Sequence, residues 1–342
     1  MSKKFGFFTT AAVAALAIGL MSSPTYAADV IVGLVTKTNS NPFFVKMKEG
    51  ATKAAEAKGM KLLAFAGAQD GDAAPQIKAI ENLIAAGAKG ILITPDNDSV
   101  IPALKKARAA GILVIALDTQ LGDKEAADMT FATDNFQAGV LIGKWAKATL
   151  GDKAKDARIG LLDINKDNIS VDVQRDTGFL TGFGIEVPNL KVDNSEKDSR
   201  VIGHANSNGA PDLGLTAAET LLAKDPNMNL IYTINEPAAE GAYQALKKAG
   251  KEKGVLIVSV DGGCPGVKSV AAGVIGATSQ QYPLLMASMG VDAVAAYAKD
   301  GTKPKHSEGL DFFNTGATLI TDHPVEGVPS IDTKEGLAKC WG

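Results

Sequence analysis

Apolar blocks alternate with amphipathic ones along most of this chain. Continuous apolar runs over Asp29–Val35, Met60–Ala66, Gly90–Thr94 and Ile112–Leu117 predict buried strands. Between them, Pro42–Lys58, Ala73–Ala86 and Val100–Ala110 carry helical spacing, and Gly59 and Gly87 close the first two. A second series follows from Asn135. Its predicted helices are Asn135–Leu150, Asp172–Phe183, Leu215–Lys224, Ala238–Ala249 and Leu284–Lys299. Its predicted strands are Arg158–Asp163, Leu230–Ile234, Val255–Val260 and Val274–Ser279. Short apolar strands alternating with amphipathic helices predict parallel sheets covered on both faces. The strands are too many for one compact sheet, so the expected fold class is α/β, with two doubly wound lobes.

The first residues break this pattern. Lys3 and Lys4 precede an apolar run from Phe5 to Met21, and Thr25-Tyr26-Ala27 supplies small residues at a cleavage position. This is the pattern of a secretory signal peptide over residues 1–27, and the run is short for a spanning helix. The remainder has no such long apolar stretch and is expected to be soluble. Export changes the reading of Cys264 and Cys340. In an oxidising compartment two cysteines form a bridge more often than not, the alternative being two small core residues. The 342 residues suffice for two domains, and 46% hydrophobic with 21% charged residues is a globular composition. A net charge of −3 gives no reason to expect nucleic acid. The three histidines, His204, His306 and His323, are scattered, so no metal site is expected. The polar run Lys191–Arg200 resembles a calcium loop only faintly and reads as solvated.

Ligands of open parallel sheets bind beyond the carboxyl ends of the strands. The polar residues expected there are Lys37 to Asn41, then Thr94-Pro95-Asp96, then Asp118. In the second series they are Asn235-Glu236, Asp261 and Gln280-Gln281. Carboxylates and amides without a basic cluster suit the hydroxyls of a sugar, which both donate and accept. Phe43 and Phe44 can lie against the apolar C–H faces of a sugar ring, or pack in the core. Adjacent helix positions point about 100° apart, so the two rings are not expected to share one core face. Asp118 and Asp261 have a plainer alternative as caps of the following helices. Arg175 would by default be a surface residue of its helix.

Taken in order, Asn41-Pro42-Phe43-Phe44, Ile115 to Asp118, Arg175 to Phe179, Asn235-Glu236-Pro237, Val260 to Gly263 and Gln281-Tyr282-Pro283 resemble the ribose-type periplasmic binding proteins of sugar ABC transporters. Asp261 to Gly266 and Cys340-Trp341-Gly342 resemble more closely the fructose-binding proteins of alphaproteobacterial transporters. The resemblance implies that Asn41, Phe43 and Phe44 contact the sugar and that Asp118 and Asp261 accept its hydroxyl protons. It further implies that Arg175 donates, and that Asn235 and Gln281 complete the shell. Lys37, Thr94 and Thr119 depart from the ribose pattern and fit a different monosaccharide. The aromatic that ribose binders supply from the second lobe has no match near Asn206-Ser207-Asn208. The family's topology implies three crossings, near Thr133, Tyr282 and Asp311. One lobe would hold residues 28–133 and 282–311, the other 134–281 and 312–342. The implied partners are a monosaccharide, with fructose expected, and an inner-membrane permease. No cofactor is expected, and the protein would be a periplasmic monomer that closes by a hinge.

Other readings fit less well. No G-x-G-x-x-G, G-x-x-x-x-G-K-[ST] or G-x-S-x-G run occurs, so a nucleotide-dependent or nucleophilic enzyme is not expected. Asp118 and Asp261 as a glycosidase pair would need cleavage chemistry that a binding role does not. A sugar-responsive repressor would carry a DNA-binding segment where this chain has its leader. A receptor for chemotaxis would differ only in its partner.

Overall fold

The structure is a computed structural model that describes residues 1–2 and 30–342, so the expected signal peptide lies outside the described residues apart from its first two. The predicted alternation holds. Strands β1 (Ile31–Thr36), β2 (Lys61–Ala66), β3 (Gly90–Ile93), β4 (Leu113–Leu117) and β5 (Met129–Ala132) interleave with helices α1 (Pro42–Ala57), α2 (Ala74–Ala85) and α3 (Ile101–Ala109). Then come α4 (Asn135–Leu150), β6 (Ile159–Asp163), α5 (Ser170–Phe183), β7 (Val201–Asn206), α6 (Pro211–Lys224), β8 (Leu230–Thr233), α7 (Glu236–Lys248) and β9 (Leu256–Asp261). The chain ends with α8 (Cys264–Ala271), β10 (Ala277–Gln280), α9 (Pro283–Asp300), β11 (Phe313–Asn314), β12 (Thr318–Ile320) and α10 (Thr333–Lys339). Among the described residues, seven of ten α-helices open with proline in the first turn, where its missing N–H costs nothing.

Two six-stranded sheets result, ordered β11-β5-β4-β3-β1-β2 and β12-β10-β9-β8-β6-β7. Both step outward from a central reversal, β1 beside β3 in one and β6 beside β8 in the other. That reversal is the switch point at which such sheets bind ligands. All pairings are parallel except β10 with β12. Each sheet is covered on both faces. Leu34, Leu92 and Ile115 pack under α1 and α9, while Val35, Ile91 and Val114 pack under α2 and α3. Leu161 and Tyr232 face α4 and α5, and Leu162 and Ile231 face α6 and α7.

The chain passes between sheets three times: between Ala132 and Asn135, between Gln280 and Pro283, and between Asn314 and Thr318. The last passage lies beyond the expected Asp311, because Phe313 and Asn314 still pair with Phe131 and Ala132 of the first sheet. Cys264 and Cys340 are bridged, with Cα atoms 5.0 Å apart. The bridge ties the segment after α10 to the start of α8. The run Lys191–Arg200 is irregular, yet the Glu196 side chain is only 3% exposed, so the loop is not uniformly solvated.

One contact fixes the helix that carries Arg175. Gly139 and Gly143 of α4 face Gly178 and Gly182 of α5. A Cβ on Gly143 would stand 2.1 Å from the Phe179 carbonyl oxygen, and one on Gly178 would stand 2.2 Å from that of Phe136. Only backbones without side chains approach this closely. Gly143→Ala is expected to destabilise the fold by about 1–3 kcal/mol, as overpacking does. The check is the urea midpoint, and an unchanged midpoint would mean that the two helices have room to separate.

Candidate functional site

Each of the first four strands of the first sheet is followed, within four residues of its carboxyl end, by a charged side chain. Lys37 follows β1 and is 1% exposed, with its Nζ 3.4 Å from Oδ1 of Asp70, which lies beyond β2. Burial alone would lower the ammonium's pKa, but the carboxylates of Asp70, Asp118 and Asp96 outweigh it and hold the group above its ordinary value. Asp96 follows β3. Its Oδ1 accepts the Gly71 N–H, and burial pushes the carboxyl up to about 8 against the pull of Lys37. Asp118 follows β4 with φ +62°, and the Thr119 N–H donates across it to the Leu117 carbonyl at 2.6 Å. This is a tight γ-turn, a strained conformation for a residue with a Cβ. Asp118 does not cap the next helical turn; Asp123 does. Thr94 is turned away from this group, with its hydroxyl directed at the Val35 carbonyl at 3.5 Å.

The second lobe answers from the other side. Arg175, 4% exposed rather than on the surface, donates from Nε to Asn135 Oδ1 at 2.8 Å and from one terminal nitrogen to the Ile234 carbonyl at 3.0 Å. Its other terminal nitrogen reaches Oδ1 of Asp118, across the lobes, at 3.6 Å. Asp261 ends β9 with φ +137° and accepts from Gln281 Nε2 at 2.6 Å, while Gly263 occupies the N-cap of α8. Gln281 also accepts from the Thr133 hydroxyl, so its amide braces the first crossing against the second. Asn235 caps α7 through its Oδ1 and donates to the Gly209 carbonyl. Asn41 does the same for α1, its Oδ1 accepting the Phe43 N–H at 3.0 Å.

Phe43 and Phe44 do share one apolar cluster, at 4% and 5% exposure, with ring centroids 5.4 Å apart. The expectation that they would not fails because a third ring fills the space. Trp341 crosses from the second lobe to meet Phe43 edge-on at 5.5 Å. It is pinned by its N–H to the Gln281 carbonyl at 2.7 Å, by its own carbonyl to the Cys264 N–H, and by the disulfide one residue before. A cavity of about 660 Å³ opens here between the lobes, with Asn41, Asp70, Glu236, Asp261 and Trp341 on its wall. Lys37, Asp118, Arg175, Asn235 and Gln281 are buried off that wall, and Asp70 and Asp261 link Lys37 and Gln281 to it. The buried Oδ2 of Asp96 has no hydrogen-bond donor, and Oδ1 of Asp70 and Oδ1 of Asp118 meet only the ion-pair nitrogens of Lys37 and Arg175. Asp70 and Trp341 were missed in the sequence. Asp70 stands four residues past its strand, and Trp341 arrives through the disulfide.

Set beside known proteins, residues 32–303 match the model of the periplasmic binding protein domain. The chain belongs to the periplasmic binding protein family. Among its relatives is the ribose import binding protein RbsB of Haemophilus influenzae, 32% identical over 82% of this chain and 90% of that protein. The D-allose-binding periplasmic protein of Escherichia coli is 26% identical over 89% and 96%. A solved galactofuranose binding protein superposes with a TM-score of 0.74 at 25% identity, covering 91% of this chain and 98% of its own. These relatives of the periplasmic binding protein are binding proteins, not enzymes.

Glu236 lies behind Asp261 and accepts from the Gly262 and Gly263 N–H groups and the Thr278 hydroxyl. Burial, with repulsion from Asp261, raises it to about 8, and burial raises Asp261 to about 7. The native state thus keeps protons that the unfolded chain releases near pH 4–5, so this pair's contribution to stability falls as pH rises from about 4 to 8. In Glu236→Gln that loss is removed. The stability of the variant relative to wild type is therefore expected to improve steadily from pH 5 to 8, read from urea midpoints at each pH. A difference that stays flat would show that Glu236 is ionised throughout.

Proposed function

We propose that this periplasmic binding protein is the sugar receptor of an ABC importer, closing its two lobes over a monosaccharide and presenting the closed form to a membrane permease. The observation that carries this reading is the pairing of Arg175 from one lobe with Asp118 from the other at 3.6 Å, too long for a hydrogen bond, which leaves Asp118 Oδ1, like the buried Asp96 Oδ2, open to a donor. Such oxygens take the hydroxyl protons of a polyol. A guanidinium already fixed by two hydrogen bonds donates to its oxygens at little further entropic cost. Lys37, held charged among three carboxylates, offers a second donor. A ligand that touches both lobes only when they meet shifts the population toward the closed form. The relatives' names support a sugar, and the leader pattern supports the periplasm. Fructose is proposed among the sugars because Asp261 to Gly266 and Cys340-Trp341-Gly342 resemble the fructose binders.

Thermal shift against fructose, ribose, xylose, galactose and inositol tests the ligand. Fructose is expected to give the largest rise, and a rise with another sugar alone would overturn that assignment. Calorimetry tests the site. Asp118→Ala and Arg175→Ala should each weaken binding by about 3 kcal/mol, more than a hundredfold, since each leaves a buried charge without its partner. Wild-type affinity in either variant would remove that residue from the site. Trp341→Ala should weaken sugar binding by about 1–3 kcal/mol while leaving Asp118 and Arg175 in place. Unchanged affinity there would confine the indole to packing.

A further inference from the structure

A second cluster of ionisable groups lies in the second lobe, and the sugar site does not use it. Asp163 ends β6, Asp176 sits one turn along α5 from Asp172, and His204 stands on the neighbouring strand β7. One donor atom from each of Asp163, Asp176 and His204 falls within 4.8 Å of the other two. His204 Nδ1 is 2.9 Å from Asp163 Oδ2 and 3.8 Å from Asp176 Oδ2. The loop before β7 folds over the group, bringing Asp193 and Glu196 to it, and Glu196 Oε1 meets His204 Nε2 at 3.0 Å.

Two facts separate this group from an ordinary patch of acids. The Asp176 side chain is 1% exposed, and neither of its oxygens has a hydrogen-bond partner; Oδ1 of Asp163 and both oxygens of Asp193 are likewise unpartnered. By contrast, Asp172 spends its oxygens on the N–H groups of Ile164 and Asn165. Carboxylates so deeply buried demand a proton or a cation. The second fact is the imidazole's geometry. Nδ1 is hydrogen-bonded to Asp163 and Nε2 to Glu196, so an ion would take the place of the proton on Nδ1 while Glu196 keeps the far N–H. A metal-binding histidine has this arrangement, its far N–H donating to a carboxylate.

We propose that Asp163, Asp176 and His204 bind a divalent transition ion, of which Zn²⁺ and Mn²⁺ suit a mixed imidazole and carboxylate donor set. Glu196 orients the imidazole, and Asp193 adds negative charge from the covering loop. Asp176 follows Arg175 in α5, so an ion here anchors the helix that carries the arginine.

The full-length protein, stripped with EDTA, is titrated with Zn²⁺ and with Mn²⁺ by calorimetry. The expected result is one equivalent of at least one of the two, with proton release as the imidazole gives up its proton. Asp176→Asn should abolish uptake, and Glu196→Gln should weaken it by about 10–100-fold. Failure of the wild type to take up either ion overturns the proposal, as does equal uptake by Asp176→Asn. If Asp176→Asn does not fold, the wild-type titration and Glu196→Gln decide between a metal and a shared proton.

Discussion

A carboxylate removed from water must meet a cation, a proton or a set of donors, and this molecule takes several carboxylates out of water at once. At the lobe interface, Asp70, Asp96 and Asp118 surround Lys37, and Arg175 reaches over from the opposite lobe. Behind Asp261, three donors and a raised pKa accommodate Glu236. Neither lobe neutralises its own strand ends completely. The first carries three aspartates against one lysine, and the second supplies the guanidinium. Across the lobes, Arg175 attracts Asp118 while Asp118 repels Asp261, so the interface sets one ion pair against one like-charge contact.

The backbone at these aspartates is part of the same arrangement. Asp118 and Asp261 both adopt positive φ, where a Cβ is disfavoured. Strain of this kind persists only where the surroundings dictate it. Here it turns two carboxylates off the ends of their strands, away from the helices they would otherwise cap. The glycine contacts of α4 with α5 play a comparable part for Arg175, which owes its depth to two backbones in direct contact.

Most of the fold was legible because buried parallel strands are short, apolar and separated by helices with proline at the start. β5, with four residues, and β7, with Gly203 and His204 inside it, carried no clear apolar run and were not anticipated. Neither were α8 and α10, which are short, nor the two-residue β11 that moves the last crossing. Of the site, the residues directly at strand ends could be read, since position alone predicts where Asp118, Asn235 and Asp261 go. Asp70 could not, because loop length hides it. Trp341 could not, because its place depends on a bridge between residues 76 apart. The donors around His204 come from two strands, a helix and a loop, and no spacing along the chain announces them.

The chain has only two tryptophans, and they occupy opposite surroundings. Trp145 is sealed in the second lobe's core, with its N–H on the His323 carbonyl. Trp341 is shared between lobes, against Phe43 and beside the cavity. The molecule therefore carries its own optical gauge. Indole emission from the core supplies a steady background, while any parting of the two halves would change the solvent around the other indole, so such movement could be followed without attaching a dye.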